Sequence, residues 1–128
     1  MSTTLNFGRD AQGYNAYAPL PSTNMYSATL ASNGSSSITV PTNVAKWVVA
    51  FSFQPGSQIW VAYSTSGASS ASGPAGASFA STTSELNPGA RLIPSTVTTS
   101  SGTNATVIYL INDGPSSADV GVMLYAVP

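Results

Sequence analysis

A chain of 128 residues is the length of one ordinary domain, which argues against a two-lobed enzyme with a cleft between domains. Only 5% of the residues are charged, against a usual share of about 25%, while 42% are hydrophobic and the net charge is -1, so disorder driven by charge is excluded. Three basic residues (Arg9, Lys46, Arg91) cannot neutralise a useful run of phosphates, and the absence of Cys and His removes disulfides, thiolate nucleophiles, imidazole bases and the common zinc sites.

Residues 1–24 are rich in Asn, Gly, Pro, Ser, Thr and Tyr, show no sustained period, and close with Pro19 and Pro21. They predict an extended N-terminal arm preceding a β-domain over residues 25–128. Gly8, Gly13 and the two prolines break any regular element, whereas Phe7, Arg9, Tyr14, Tyr17 and Leu20 are spaced as anchors, so the arm is expected to lie on a partner. The opening MSTTLNFGRD has neither a basic start followed by an apolar run nor a cleavage site, and synthesis in a cytoplasm without export is the expectation.

From Met25 the chain changes to short β-branched and aromatic runs separated by Gly, Pro, Asn and Ser, the spacing of an all-β domain. Strands are predicted over 25–30, 36–40, 46–53, 58–64, 78–82, 91–93 continuing through 96–99, 105–112 and 118–127, about eight in all. The longest apolar run, 44–51, is interrupted by Lys46 and is far short of the roughly 20 residues that span a bilayer, so no membrane is expected. Ala31-Ser32-Asn33-Gly34 and Pro55-Gly56 predict tight turns, because Asn and Gly tolerate positive φ and Pro presets a turn residue. Asp113-Gly114-Pro115-Ser116-Ser117 predicts a third, with the last two strands pairing antiparallel. Residues 65–77 (TSGASSASGPAGA) are too poor in large side chains to pack a core and read as a mobile or partner-covered loop.

Alternation assigns faces. Trp47, Val49, Phe51 and Phe53 share one side of their strand, with Lys46, Val48, Ala50 and Ser52 on the other. In the last two strands both sides are apolar: Val107, Tyr109 and Ile111 oppose Ile108 and Leu110, while Val120, Val122 and Leu124 oppose Met123, Tyr125 and Val127. A two-layer sandwich buries one face of each sheet, so the second apolar face needs a cover. A homo-oligomer, with a trimer favoured, is expected to bury Met123, Tyr125 and Val127 between subunits, with Trp60 against a neighbouring chain. Edges point the same way, since so few charges are available to blunt them.

Chemistry is sparse. The acids Asp10, Glu85, Asp113 and Asp119 leave a two-carboxylate glycosidase as the one familiar hydrolytic arrangement, yet Asp113 and Asp119 flank a turn and Glu85 sits in a loop sequence. A calcium site on Asp113 and Asp119 fits no loop signature. No Ser has an evident base, and the triplets Asn33-Gly34-Ser35 and Asn104-Ala105-Thr106 are expected by chance in a chain this rich in Ser and Thr. No catalytic residue, metal or cofactor is assigned. Trp47 reads as core, and Trp60 as the better surface for stacking a sugar.

The segments SITVPTNVAKWVVAFSFQPGSQIWVAY, ASFASTTSELNPGARLI and ADVGVMLYAV, with Ser/Thr-rich spacers, give an order of elements that resembles small virion structural proteins of tailed bacteriophages, of the capsid decoration (cement) type. The likeness covers roughly the last hundred residues. It rests on a Pro-bounded strand before an aromatic strand, a Pro-Gly turn, a Trp-Val-Ala strand, an Asn-Pro turn followed by Arg, and the terminal Asp-Val-Gly-Val-Met-Leu-Tyr strand. The resemblance implies a jelly-roll-like antiparallel β-sandwich, stable as an oligomer and located on the capsid surface of the virion. The implied partner is the major capsid protein of the same phage. A receptor- or carbohydrate-binding module of a tail or fibre is the alternative, because such modules share this composition.

Overall fold

In a computed structural model, residues 2–4, 22–64, 69–78 and 84–128 are described. They form ten strands: β1 (Asn24–Leu30), β2 (Ser35–Thr39), β3 (Lys46–Phe53), β4 (Ile59–Tyr63), β5 (Glu85–Leu86), β6 (Arg91–Pro94), β7 (Thr96–Thr99), β8 (Gly102–Ala105), β9 (Val107–Asn112) and β10 (Ala118–Ala126). One sheet has the order β1-β10-β3-β6 and the other β2-β9-β4-β5, while β7 and β8 pair only with each other.

The pairings are nested. β1 pairs with β10, β2 with β9, β3 with β6 and β4 with β5, all antiparallel. This is one long antiparallel hairpin, interrupted by β7 and β8, wrapped so that successive pairs fall in alternate sheets. This winding makes the all-β antiparallel sandwich that the strand spacing predicts.

The wrap is driven by the period-two pattern of the long strands. Trp47 and Val49 on β3, Ile59 and Val61 on β4, Ile108 and Leu110 on β9, and Val122 and Leu124 on β10 are all at most 3% exposed and meet between the sheets. Each such aliphatic side chain contributes about 1.5–3 kcal/mol by leaving water. Phe51 and Phe53 stack with ring centroids 5.4 Å apart at the edge of this core. The Trp47 indole N–H, which burial would otherwise leave unsatisfied, donates to the Pro41 carbonyl at 2.8 Å.

The predicted turns are tight, but each one changes sheet. Ala31 to Gly34, Pro55-Gly56 and the Asp113 to Ser117 segment are arches, and the expected antiparallel pairing of the last two strands is corrected: β9 lies between β2 and β4, and β10 between β1 and β3. The cause is the buried Asn112. Its amide donates to the carbonyls of Leu30 and Ser116 at 2.9 and 2.8 Å, and its Oδ1 accepts from Gly114 N–H at 2.9 Å. These bonds bend the chain across the end of the sandwich instead of back along β9, and they let both inward faces meet. Asn33 (φ 62°) supplies the left-handed residue of the facing arch, and its N–H donates to the Asn112 carbonyl at 2.8 Å.

At the amino end, Thr4 forms a parallel bridge with Ala126, and Ala126 N–H donates to the Thr3 carbonyl at 2.7 Å. The first residues therefore join the sandwich, where an arm lying wholly on a partner was expected. The anchors Phe7, Arg9, Tyr14, Tyr17 and Leu20 lie outside the described residues, as does most of the strand predicted over 78–82. Two strands went unpredicted. β5 falls in a loop-like sequence, and β8 is the poor strand former Gly-Thr-Asn-Ala, closed onto β7 by Gly102 at φ 123°.

Candidate interaction surface

The outer face of the β1-β10-β3-β6 sheet is built by register. Met25, Met123 and Ala50 form one cross-strand row, and Tyr125, Val48 and Leu92 form the next. Met25 and Leu92 are 61% and 56% exposed, high values for large apolar side chains on neighbouring rows. The row Ser27, Gly121 and Ser52 bounds the patch on one side, and Lys46 is the charged residue of β3 on the other.

Of the residues expected at an oligomer interface, Met123 stands in this patch half-buried and Val127 is half-buried beyond the end of β10. Tyr125 is already buried within the chain. Trp60 is not brought to the same place, because it lies in the other sheet, between Ile111 of β9 and Leu86 of β5. Met25 and Leu92 were missed by sequence reasoning. Their strands show no long alternation, and only the register against β10 and β3 places them in line with Met123 and Val48.

The outer face of the β2-β9-β4-β5 sheet is covered in part by the chain's own low-complexity segment, while Leu86, level with Trp60, stays 48% exposed. Ala71 is buried, and Ser69 to Ala71 face Ser35 to Ser37, Tyr109 and Ile111 across a cleft. Gly73 is seated so closely that an added Cβ would lie 2.8 Å from Asp113 Oδ2 and 3.2 Å from Trp60 Nε1. A residue without a side chain is favoured at Gly73 for this close contact with the sheet. The indole edge of Trp60 is thereby occupied by its own chain.

Among the described residues the charged side chains of Glu85, Arg91 and Asp119 have structural duties. Glu85 and Arg91 form an ion pair linking β5 to β6 at the far edge of the sandwich. The Arg91 guanidinium lies 5.8 Å from the centre of the Tyr63 ring. Burial, reinforced by the Glu85 charge and opposed by Arg91, pushes the Tyr63 hydroxyl up to about 12, and that hydroxyl has no hydrogen-bond partner among the described residues. Asp119 accepts from Thr29 Oγ1 at 2.6 Å, and its backbone N–H donates to Gln54 Oε1 at 2.9 Å. No three acidic, His or Cys side chains among the described residues come together to hold a metal ion.

One further concavity, about 240 Å³, lies between residues 54–58 and 112–118; it is lined by Pro55, Pro115 and neutral polar groups including Gln54, Gln58 and Ser116, and Ser57 Oγ is buried there without a partner among the described residues. No known protein family, curated protein or solved structure matches the chain.

Proposed function

We propose that this protein is a non-enzymatic structural component of a bacteriophage particle, a capsid decoration or cement protein that binds the major capsid protein lattice and stabilises the head. The observation that supports this most is the contrast between the two outer faces. One is covered in part by the chain's own loop, with Leu86 left exposed near its edge, and the other presents Met25, Leu92, Val48, Ala50 and Met123 without a charge among them. A patch of that kind on a chain with so few charges suits a surface that is covered in use. Each lattice contact would add a free energy that rupture of the shell must overcome, and repetition over the lattice raises the effective concentration of every bound copy. We read the nested winding as jelly-roll-like, which is compatible with this role by analogy of fold alone.

The test is a copy count on particles purified from cells that make the chain. Several hundred copies per particle support decoration; absence from the particle overturns the particle reading. A handful per particle would favour the tail or fibre module, for which the neutral polar pocket beside Gln54 and Gln58 is the better candidate glycan site.

A further inference from the structure

The sandwich treats its two open sides differently. On the far side, β5 has two residues and carries Glu85, while β6 has four, carries Arg91 and ends in Pro94; shortness, proline and an ion pair are the devices that stop a sheet edge from pairing with another chain. On the near side none of them is present. β1 (NMYSATL) and β2 (SSSIT) carry no charge and no proline, and among the described residues neither has a strand beyond it. β2 is flanked by Ser69 to Ala71 of its own chain, but in β1 the five residues from Met25 to Thr29 are all exposed. Beside β1 the two sheets part, leaving an apolar cleft of about 180 Å³ lined by Ala28, Leu30, Ile38, Leu110 and Val122, with Tyr26 at 37% exposure among its walls.

We propose that two copies of this chain associate by antiparallel pairing of β1 with β1 about a two-fold axis through Ser27, joining the two four-stranded sheets into one of eight. A second copy is the occupant that the strand's own sequence fits. Two-fold pairing of the whole of residues 24–30 has a single register, with Ser27 opposite itself. That register sets Tyr26 opposite Ala28 and Met25 opposite Thr29, large beside small on both faces. Tyr26 and Ala28 face inward with Val122 and Val120, so each tyrosine stands over the other copy's cleft mouth and shields it from water. On the outer face, Met25 of each copy packs at the end of its own apolar row, with Met123 and Ala50, against Thr29 of the other copy, whose hydroxyl is already turned to Asp119. The contact does not depend on the protein being a particle component.

The register is tested at Ser27, an exposed residue whose replacement leaves the core untouched. The chain has no cysteine, so Ser27→Cys introduces a single thiol, and directly opposed residues of an antiparallel pair hold their Cβ atoms about 4.5–5.5 Å apart. Under mild oxidation Ser27→Cys is expected to give a covalent dimer, while Ser52→Cys on the outer face does not. In sedimentation equilibrium the unmodified full chain is expected as a dimer. Ser27→Lys and Ser27→Glu, which set like charges face to face, are each expected as monomers, and an equimolar mixture of the two regains the dimer. A monomeric unmodified chain at about 0.1 mM, a trimer, a dimer unaffected by Ser27→Lys, or failure of Ser27→Cys to crosslink would each overturn the proposal. The crosslink decides the matter even where a charged variant fails to fold.

Discussion

Asn112 is the residue on which the wrap turns, because three backbone groups from two connections depend on one side chain that is fully buried. Asn112→Ala leaves the carbonyls of Leu30 and Ser116 and the N–H of Gly114 unsatisfied, and a loss of about 3 kcal/mol is expected from urea denaturation. Asn112→Asp should cost more: a carboxylate cannot donate to either carbonyl, and it is a charge with no cation beside it among the described residues. Equal stability of the Ala and Asp variants would show that the buried carboxylate carries no added cost, and parent-like stability of the Ala variant would show that the bonds of Asn112 do not hold the wrap.

Tyr63 has a different signature, visible in pH. Its folded-state pKa near 12 lies above the ordinary 10.0, so folding favours the neutral phenol. The stability this provides is complete below pH 10 and is lost as pH rises through about 12. Tyr63→Phe keeps the ring beside Arg91, removes a hydroxyl that has no partner among the described residues, and deletes the group that titrates. Its urea midpoint should therefore match the parent at pH 8 and fall less between pH 10 and 12; parallel decline of the two proteins would assign the alkaline loss to other groups.

At the scale of the element, the low-complexity segment makes the sharpest prediction. Gly73→Ala places a methyl group against Asp113 Oδ2 and Trp60 Nε1, both far ends of side chains that can shift. The segment should lift from the sheet while the sandwich stays folded, giving red-shifted Trp60 emission at a cost of about 1 kcal/mol or less. Unchanged emission would mean that the segment is not seated as described.

Strands were legible where alternation is long. β3 was read over residues 46–53, and β10 was read with its two faces correctly separated, because aromatic and β-branched residues alternate without a break. The partner of each strand was not legible. Asn33-Gly34 and Pro55-Gly56 specify a sharp turn whether the next strand lies beside the last one or across the core from it. The deciding signal, the side chain of Asn112, is silent until its acceptors are placed. The same limit hid half of the exposed face: Met123 could be read from alternation, but Met25 and Leu92 join it only through registers between strands distant in sequence.

For the whole molecule, the scarcity of charge dictates how attachment to a particle should respond to salt. There are three cations and four anions in the chain, and Arg91 and Glu85 already engage each other. Lys46 is then the one cation of the described residues left to meet an acidic shell, and it stands at the margin of the apolar rows, on the same strand as Val48 and Ala50. Exposed ion pairs are worth about 0–1 kcal/mol each and weaken as salt screens them. Apolar burial does not weaken in this way, and a few well-packed anchors can dominate an interface of roughly 1,600 Å². Particles washed from low to about molar salt, where the Debye length contracts to about 3 Å, should therefore keep the protein, whereas Leu92→Asp should detach it by setting an unpaired carboxylate against the shell. If the protein is stripped progressively as salt rises, and Leu92→Asp stays bound, the affinity resides in Lys46 or Arg9 and the apolar face serves some other contact.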